Sequence, residues 1–178
     1  MQMLKTVWTA GLVLVVLVVL AVGYRWWASD ERAITRQLDA LAGALSVTGQ
    51  EGELGPITRI AALRKVLAPD LQVSAVPAPS VSGMGAGTPM TLVGRDQALA
   101  LVSRWIPPPG GMTVAFVDVD VSVGDDRVSA EVSCTATVTS RPTSGERAIE
   151  AHELSMRLTK TDGTWLLARV QTEDPLAR

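Results

Sequence analysis

Three spacings of apolar residues succeed one another along the chain. The first is unbroken: nineteen residues between Lys5 and Arg25 carry no charge, and Leu12 to Gly23 is almost wholly Leu and Val. As a helix rising ~1.5 Å per residue, nineteen residues reach ~28 Å, close to the ~30 Å hydrocarbon core of a bilayer. Trp8 sits near one end, and Tyr24, Trp26 and Trp27 crowd the other, where amphipathic rings favour the membrane–water interface. The pattern predicts a short tail over 1–5 and a transmembrane helix over 6–24. A cleaved signal peptide is the alternative, since Lys5 precedes the run. Against it, Ala21-Val22-Gly23 is the one small-x-small site, and bulky residues follow it.

The second spacing is helical. Ser29 is placed to cap a helix, with Asp30 and Glu31 in its first turn. Ile34, Leu38, Leu41 and Leu45 fall on one stripe, and the helix is expected to end near Ser46. Pro56 suits a first helical position. Ile57, Ile60, Leu63 and Leu67 follow as an apolar face, which Pro69 is expected to stop. Leu71 to Val76 reads as a short strand, and Pro77 to Pro89 as a Pro/Gly/Ser loop. Gly83, Gly85 and Gly87 follow no convincing strand and open no helix, so they do not make a dinucleotide fingerprint. A third helix is predicted from Arg95 to Ile106, burying Leu99, Val102, Trp105 and Ile106, before Pro107-Pro108-Pro109-Gly110-Gly111.

The third spacing has period two. Thr113, Ala115, Val117, Val119, Val121 and Val123 alternate with Val114, Phe116, Asp118, Asp120 and Ser122. After Gly124-Asp125-Asp126, Val128, Ala130, Val132, Cys134, Ala136 and Val138 alternate with polar residues. A further strand runs from about Ala148 to Lys160 with Leu154, Met156 and Leu158 inward, and Thr161-Asp162-Gly163 signals a hairpin into Trp165 to Thr172. Helices first and strands second predict an α+β domain, three helices packed on an antiparallel sheet. The division is then the tail, the span, a juxtamembrane segment with the first helix over 25–50, and the remainder over 51–178.

Charge and chemistry narrow the function. The net charge is −2 with signs interspersed, so nucleic acid is not an expected partner. One cysteine excludes an intrachain disulfide, and one histidine with one cysteine cannot make a zinc site. No metal or cofactor is expected. Cys134 falls in the apolar phase of its strand, as a small buried hydrophobe does. Glu150 and His152 share a strand face and are weak candidates for an acid/base pair. Asp118, Asp120, Glu131, Ser133, Thr135 and Thr137 form a polar strip on the other face, a solvated or partner-facing edge.

Three segments carry a resemblance: Leu67-Ala68-Pro69-Asp70-Leu71, Gly94-Arg95-Asp96, and Lys160-Thr161-Asp162-Gly163-Thr164-Trp165-Leu166-Leu167-Ala168-Arg169-Val170. With the order of elements, they make about Asp30 to Glu173 resemble the nuclear transport factor 2-like superfamily, which includes the SnoaL-like polyketide cyclases and ketosteroid isomerase. The resemblance implies a cone-shaped, strongly curved sheet around a long helix. It also implies a pocket, for which Trp105, His152, Leu154, Met156 and Trp165 are the candidate lining. Ketosteroid isomerase chemistry needs a carboxylate base and a neutral oxyanion donor. The family's tyrosine donor is missing, because the one tyrosine is Tyr24.

That fold hosts enzymes, binders and assembly modules. Membrane-anchored versions resemble subunits of bacterial envelope machines, in which one N-terminal span precedes such a domain. The expectation is a single-pass protein of the inner (cytoplasmic) membrane acting as a non-catalytic assembly or interaction module of an envelope complex. A homodimer or envelope proteins are its expected partners. Arg25, Arg32 and Arg36 outnumber Lys5 as basic flanks, which by simple counting keeps the domain inside. Long domains translocate regardless of such counts, and the reading places this one outside the cytoplasm. The alternatives are a binder of a small apolar ligand or lipid, and a SnoaL-like enzyme using Glu150 and His152.

Overall fold

The computed structural model describes residues 2–47, 49, 52, 54–75, 90–105, 107–141 and 147–172, without the side chains at 2–14, 21, 25–29, 75 and 90. The expected loop at 77–89, the turn between Arg141 and Arg147, and the side chains of Trp8, Trp26, Trp27 and Ile106 therefore lie wholly or largely outside the described residues.

The first helix, α1, runs unbroken over Gln2–Leu45. No cap interrupts it at Ser29, contrary to the sequence expectation, and the segment divided at 24 and 25 is one rod. Arg25, Ala28, Glu31, Arg32 and Ala33 are good helix formers and continue the hydrogen-bond ladder there at little cost. Among the described residues no helix is long and apolar enough to cross a membrane. Most of the uncharged run falls at positions whose side chains are not described. Those of its apolar residues that are described, Val15 to Leu20, Val22 and Tyr24, are exposed, Tyr24 at 70 %. From Ile34 the helix enters the domain, burying Ile34, Leu38 and Leu41, the stripe that the spacing predicts.

The second helix, α2 (Gly55–Val66), has Pro56 in its first turn and Arg64 and Lys65 in its last, where their charge suits the helix dipole. It ends two residues earlier than expected. Leu67 turns extended at φ −95° and ψ 134°, beginning strand β1 (Leu67–Ala75). Pro69 thus sits within a strand. Proline is tolerated there because the register slips between Leu67 and Gln72, and an irregular segment needs no ladder donor from it. Ile57 is 65 % exposed instead of lying on the buried face.

A short strand, β2 (Met90–Val93), leads to helix α3 (Arg95–Arg104). Four residues beside a Gly/Pro-rich stretch give too little alternation to foresee β2. Gly94 sits between them at φ 97°, open to glycine at no steric cost, and its N–H bonds the carbonyl of Leu71 at 2.7 Å.

Four long strands follow: β3 (Met112–Val123), β4 (Ser129–Ser140), β5 (Ala148–Thr161) and β6 (Thr164–Thr172). The six-stranded sheet has order β2-β1-β6-β5-β4-β3. The expected meander is present, but β1 pairs parallel to β6, so the sheet is mixed. The β5–β6 turn carries Asp162 at φ 50° and Gly163 at φ 77°. Two positive φ values are what a tight hairpin of this hand requires. In the β3–β4 turn, Asp126 accepts the N–H groups of Val128 and Ser129 at 3.0 Å and the Ser129 hydroxyl at 2.9 Å. These bonds hold its carboxyl below the usual carboxylate value.

Strand β3 departs from the simple alternation. Val114 and Phe116 face inward, and so do Val119, Val121 and Val123, which cannot share one phase. The register slips between Val117 and Asp120, and Asp118 takes φ 52°. The bulge turns Val117 and Asp118 both outward and swaps the phase. The core then joins Ile34, Leu38 and Leu41 of α1, Leu63 of α2 and Leu99 of α3 to Val132, Cys134, Met156, Leu158, Trp165 and Leu167 of the sheet.

Candidate functional site

The inner face of β5 places Glu150 opposite Val138 and His152 opposite Ala136. His152 Nε2 lies 3.6 Å from Glu150 Oε2, and the side chains are 35 % and 39 % exposed. That distance is an ion pair when the imidazole is charged and too long for a hydrogen bond. Alternation brings the two residues onto one face, as the sequence predicts, but water reaches both.

The five proposed lining residues differ in burial. Met156 and Trp165 are each 2 % exposed. Leu154 packs against that core, whereas Trp105 is 37 % exposed instead of buried. Trp105 serves as a platform for Arg59, whose guanidinium carbon stands 5.9 Å from the ring centroid. Arg59 is 7 % exposed, and sequence reasoning passed it by. Its spacing held the signal, because 59, 63 and 66 are the buried positions of α2 and Arg59 precedes Leu63 by one helical turn.

Two cavities lie among the described residues, one of them beside Arg59. One, of about 370 Å³, opens between Gly43, Ala44 and Ser46 of the first helix end and Gly55, Thr58, Arg59 and Ala62 of α2. The other, of about 280 Å³, lies by Val47, Gly111, Met112, Thr139, Arg141 and Arg147. Neither contains Glu150, His152 or the other four proposed lining residues. Cys134 is 6 % exposed, and burial pushes its thiol from 9.0 up to about 11, so at neutral pH it is a protonated core group. Among the described residues no three His, Cys, Asp or Glu side chains are grouped to hold a metal ion.

The outer sheet face is arranged in rows across three strands. Ala115, Thr137 and Ala151 form one row, and Val117, Thr135 and Glu153 the next. Asp120, Ser133 and Ser155 follow, then Ser122, Glu131 and Arg157. Val117 is 43 % and Ile149 61 % exposed. The far row is charged, with Arg157 Nη2 3.3 Å from Glu131 Oε1. Thus the strip predicted as polar is small and apolar at one end, with Asp118 set in the bulge.

At the opposite edge of the inner face, Asp30 of α1 ties the helix to the last hairpin. Lys160 Nζ donates to Asp30 Oδ1 at 2.6 Å, and Trp165 Nε1 donates to the same oxygen at 3.4 Å. The Lys160 ammonium stands 5.3 Å from the Trp165 ring centroid.

No protein-family model and no curated protein matches this sequence. Solved structures do resemble the fold. An NTF2-like protein with a cystatin-like fold from Novosphingobium aromaticivorans aligns at 17 % identity with a TM-score of 0.60, covering 89 % of this chain and 90 % of that one. The CaMKII hub of S. rosetta aligns at 14 % identity with a TM-score of 0.57, covering 80 % of this chain and 94 % of that one. The association domain of C. elegans CaMKII aligns at 12 % identity with a TM-score of 0.53, covering 84 % and 95 %. The domain therefore has the nuclear transport factor 2-like fold.

Proposed function

We propose that the chain is a membrane-anchored, non-catalytic assembly module of the cell envelope whose outer sheet face receives a second copy of itself. The observation that carries this is the outer face of β3, β4 and β5. Its exposed Val117 and Ile149 stand among Ala and Thr side chains, while the helices' buried residues join the core on the other face. Two strands of twelve residues and one of fourteen span roughly 40 Å by 14 Å, about 560 Å², the larger part of the ~800 Å² that each partner contributes to a standard interface. The hub and association-domain neighbours give the fold a precedent for assembly. The uncharged run over 6–24 supports the anchor, and the exposed, loosely paired Glu150 and His152 support a role without catalysis.

The test is cross-linking of the full-length chain in membranes. Val117→Cys and Thr135→Cys are expected to give covalent dimers with a short bifunctional thiol reagent, and Gln72→Cys, on β1 at the other side of the sheet, is not. Monomers at 117 and 135 would overturn the proposal. A second reading rests on the cavity of about 370 Å³ beside Arg59, which has room for a small ligand. Under that reading Ala62→Phe abolishes binding without changing the oligomeric state.

A further inference from the structure

We infer that the end of the domain formed by the β3–β4 turn and the β5–β6 hairpin faces lipid headgroups, held at a fixed height by α1. The inference rests on the membrane-anchor reading of 6–24. The helix carries no break from Gln2 to Leu45, so the rod that would cross the bilayer is the rod that enters the core. The uncharged run ends at Tyr24, and Asp30, six residues on, stands about 9 Å farther along the axis.

Asp30 is where the helix grips the domain, and it grips the hairpin end. Its partners Lys160 and Trp165 flank Thr161 to Thr164. The Lys160 N–H also bonds the carbonyl of Val128 at 2.8 Å, which brings the β3–β4 turn to the same end. Farther on, Ile34, Leu38 and Leu41 are buried, so the rod cannot swivel without opening the core. The helix end is fixed too, where Val47 pairs with Met112 and the Ser46 hydroxyl accepts the Val114 N–H at 2.9 Å.

The turns at this end hold Asp125, Asp126 and Asp162 beside Arg127. Anionic headgroups repel such a set, so the helix and not electrostatic docking sets the height. The cavity at Gly43 and Arg59 begins nineteen residues beyond Tyr24, about 29 Å along the axis. A lipid whose headgroup stays in the bilayer does not reach it, and any ligand for that cavity comes from the aqueous side.

The test uses the full-length chain in phosphatidylcholine vesicles, with a fluorophore on Thr161→Cys or on Arg141→Cys and an energy acceptor on the lipid headgroup. Flotation with the vesicles is scored first, and failure to float overturns the anchor reading and this inference with it. In floating protein the label at 161 is expected about 25 Å nearer the bilayer along the helix axis than the label at 141, from the seventeen residues separating Asp30 and Val47. Equal or reversed transfer would overturn this inference and leave the anchor standing. A Gly/Ser insertion after Trp27 is expected to equalise the two positions, and an unchanged difference would show that the helix does not set the height.

Discussion

Asp30 receives an ammonium and an indole N–H on one oxygen while only 14 % of its side chain is exposed. Asp30→Ala leaves both donors without this acceptor in a part-buried site, and a loss of about 1–3 kcal/mol is expected in urea unfolding. Lys160→Met, which removes the charge but keeps the stem over Trp165, is expected to cost less. Equal losses would show that the carboxylate does not hold the indole. Cys134 makes a second residue-scale case. Its folded thiol keeps a proton to about 11 against an ordinary 9.0. The unfolded state therefore ionises first, so this group's contribution is intact below pH 9 and stability falls as pH rises from 9 towards 11. At pH 8 native protein is expected to resist iodoacetamide, with labelling appearing in denaturant. Fast labelling of native protein would contradict its burial. The pairing of Glu150 with His152 was legible in the sequence because strand alternation alone places them together. The grip of Asp30 was not, since nothing local announces a bond across 130 residues.

At the scale of elements, the bulge in β3 decides which side chains reach the core. Val117, Val119, Val121 and Val123 read as one apolar face, but Val117 ends on the outer side because Asp118 takes φ 52°. A left-handed conformation costs most non-glycine residues about 1–2 kcal/mol, and Asp tolerates it better than a β-branched residue. Asp118→Gly is thus expected to match or exceed wild-type stability and Asp118→Val to lose about 1 kcal/mol or more, read by thermal unfolding. Should valine be neutral, the bulge is not held at this residue. Long periodic elements were legible as elements: α1 beyond Ile34, α2, α3 and the four-strand meander stand where their spacing puts them, although Ile57 and Trp105 are exposed and β3 changes phase, and Asp162-Gly163 marks its hairpin. The second half of β1 was legible as the strand expected over Leu71 to Val76, but its start at Leu67 was not, because Pro69 argues against a strand, nor was β2, whose four residues carry almost no period. The parallel pairing of β1 with β6 joins segments about one hundred residues apart, which local pattern does not encode.

At the scale of the molecule, two surfaces divide the proposed work. Under the proposal the hairpin end meets the membrane and the outer sheet face meets a second copy, with α1 holding the two in fixed relation. Substituting both Val117→Lys and Ile149→Lys is expected to leave the fold intact, since exposed sheet positions away from the core usually change stability by less than about 0.5 kcal/mol, while association is lost. The most direct test of the account is native mass spectrometry of the full-length chain after gentle detergent extraction. The account predicts a stoichiometric dimer for the wild type and a folded monomer for the doubly substituted chain. A wild-type monomer, alone or carrying a small non-covalent mass, would contradict the assembly role.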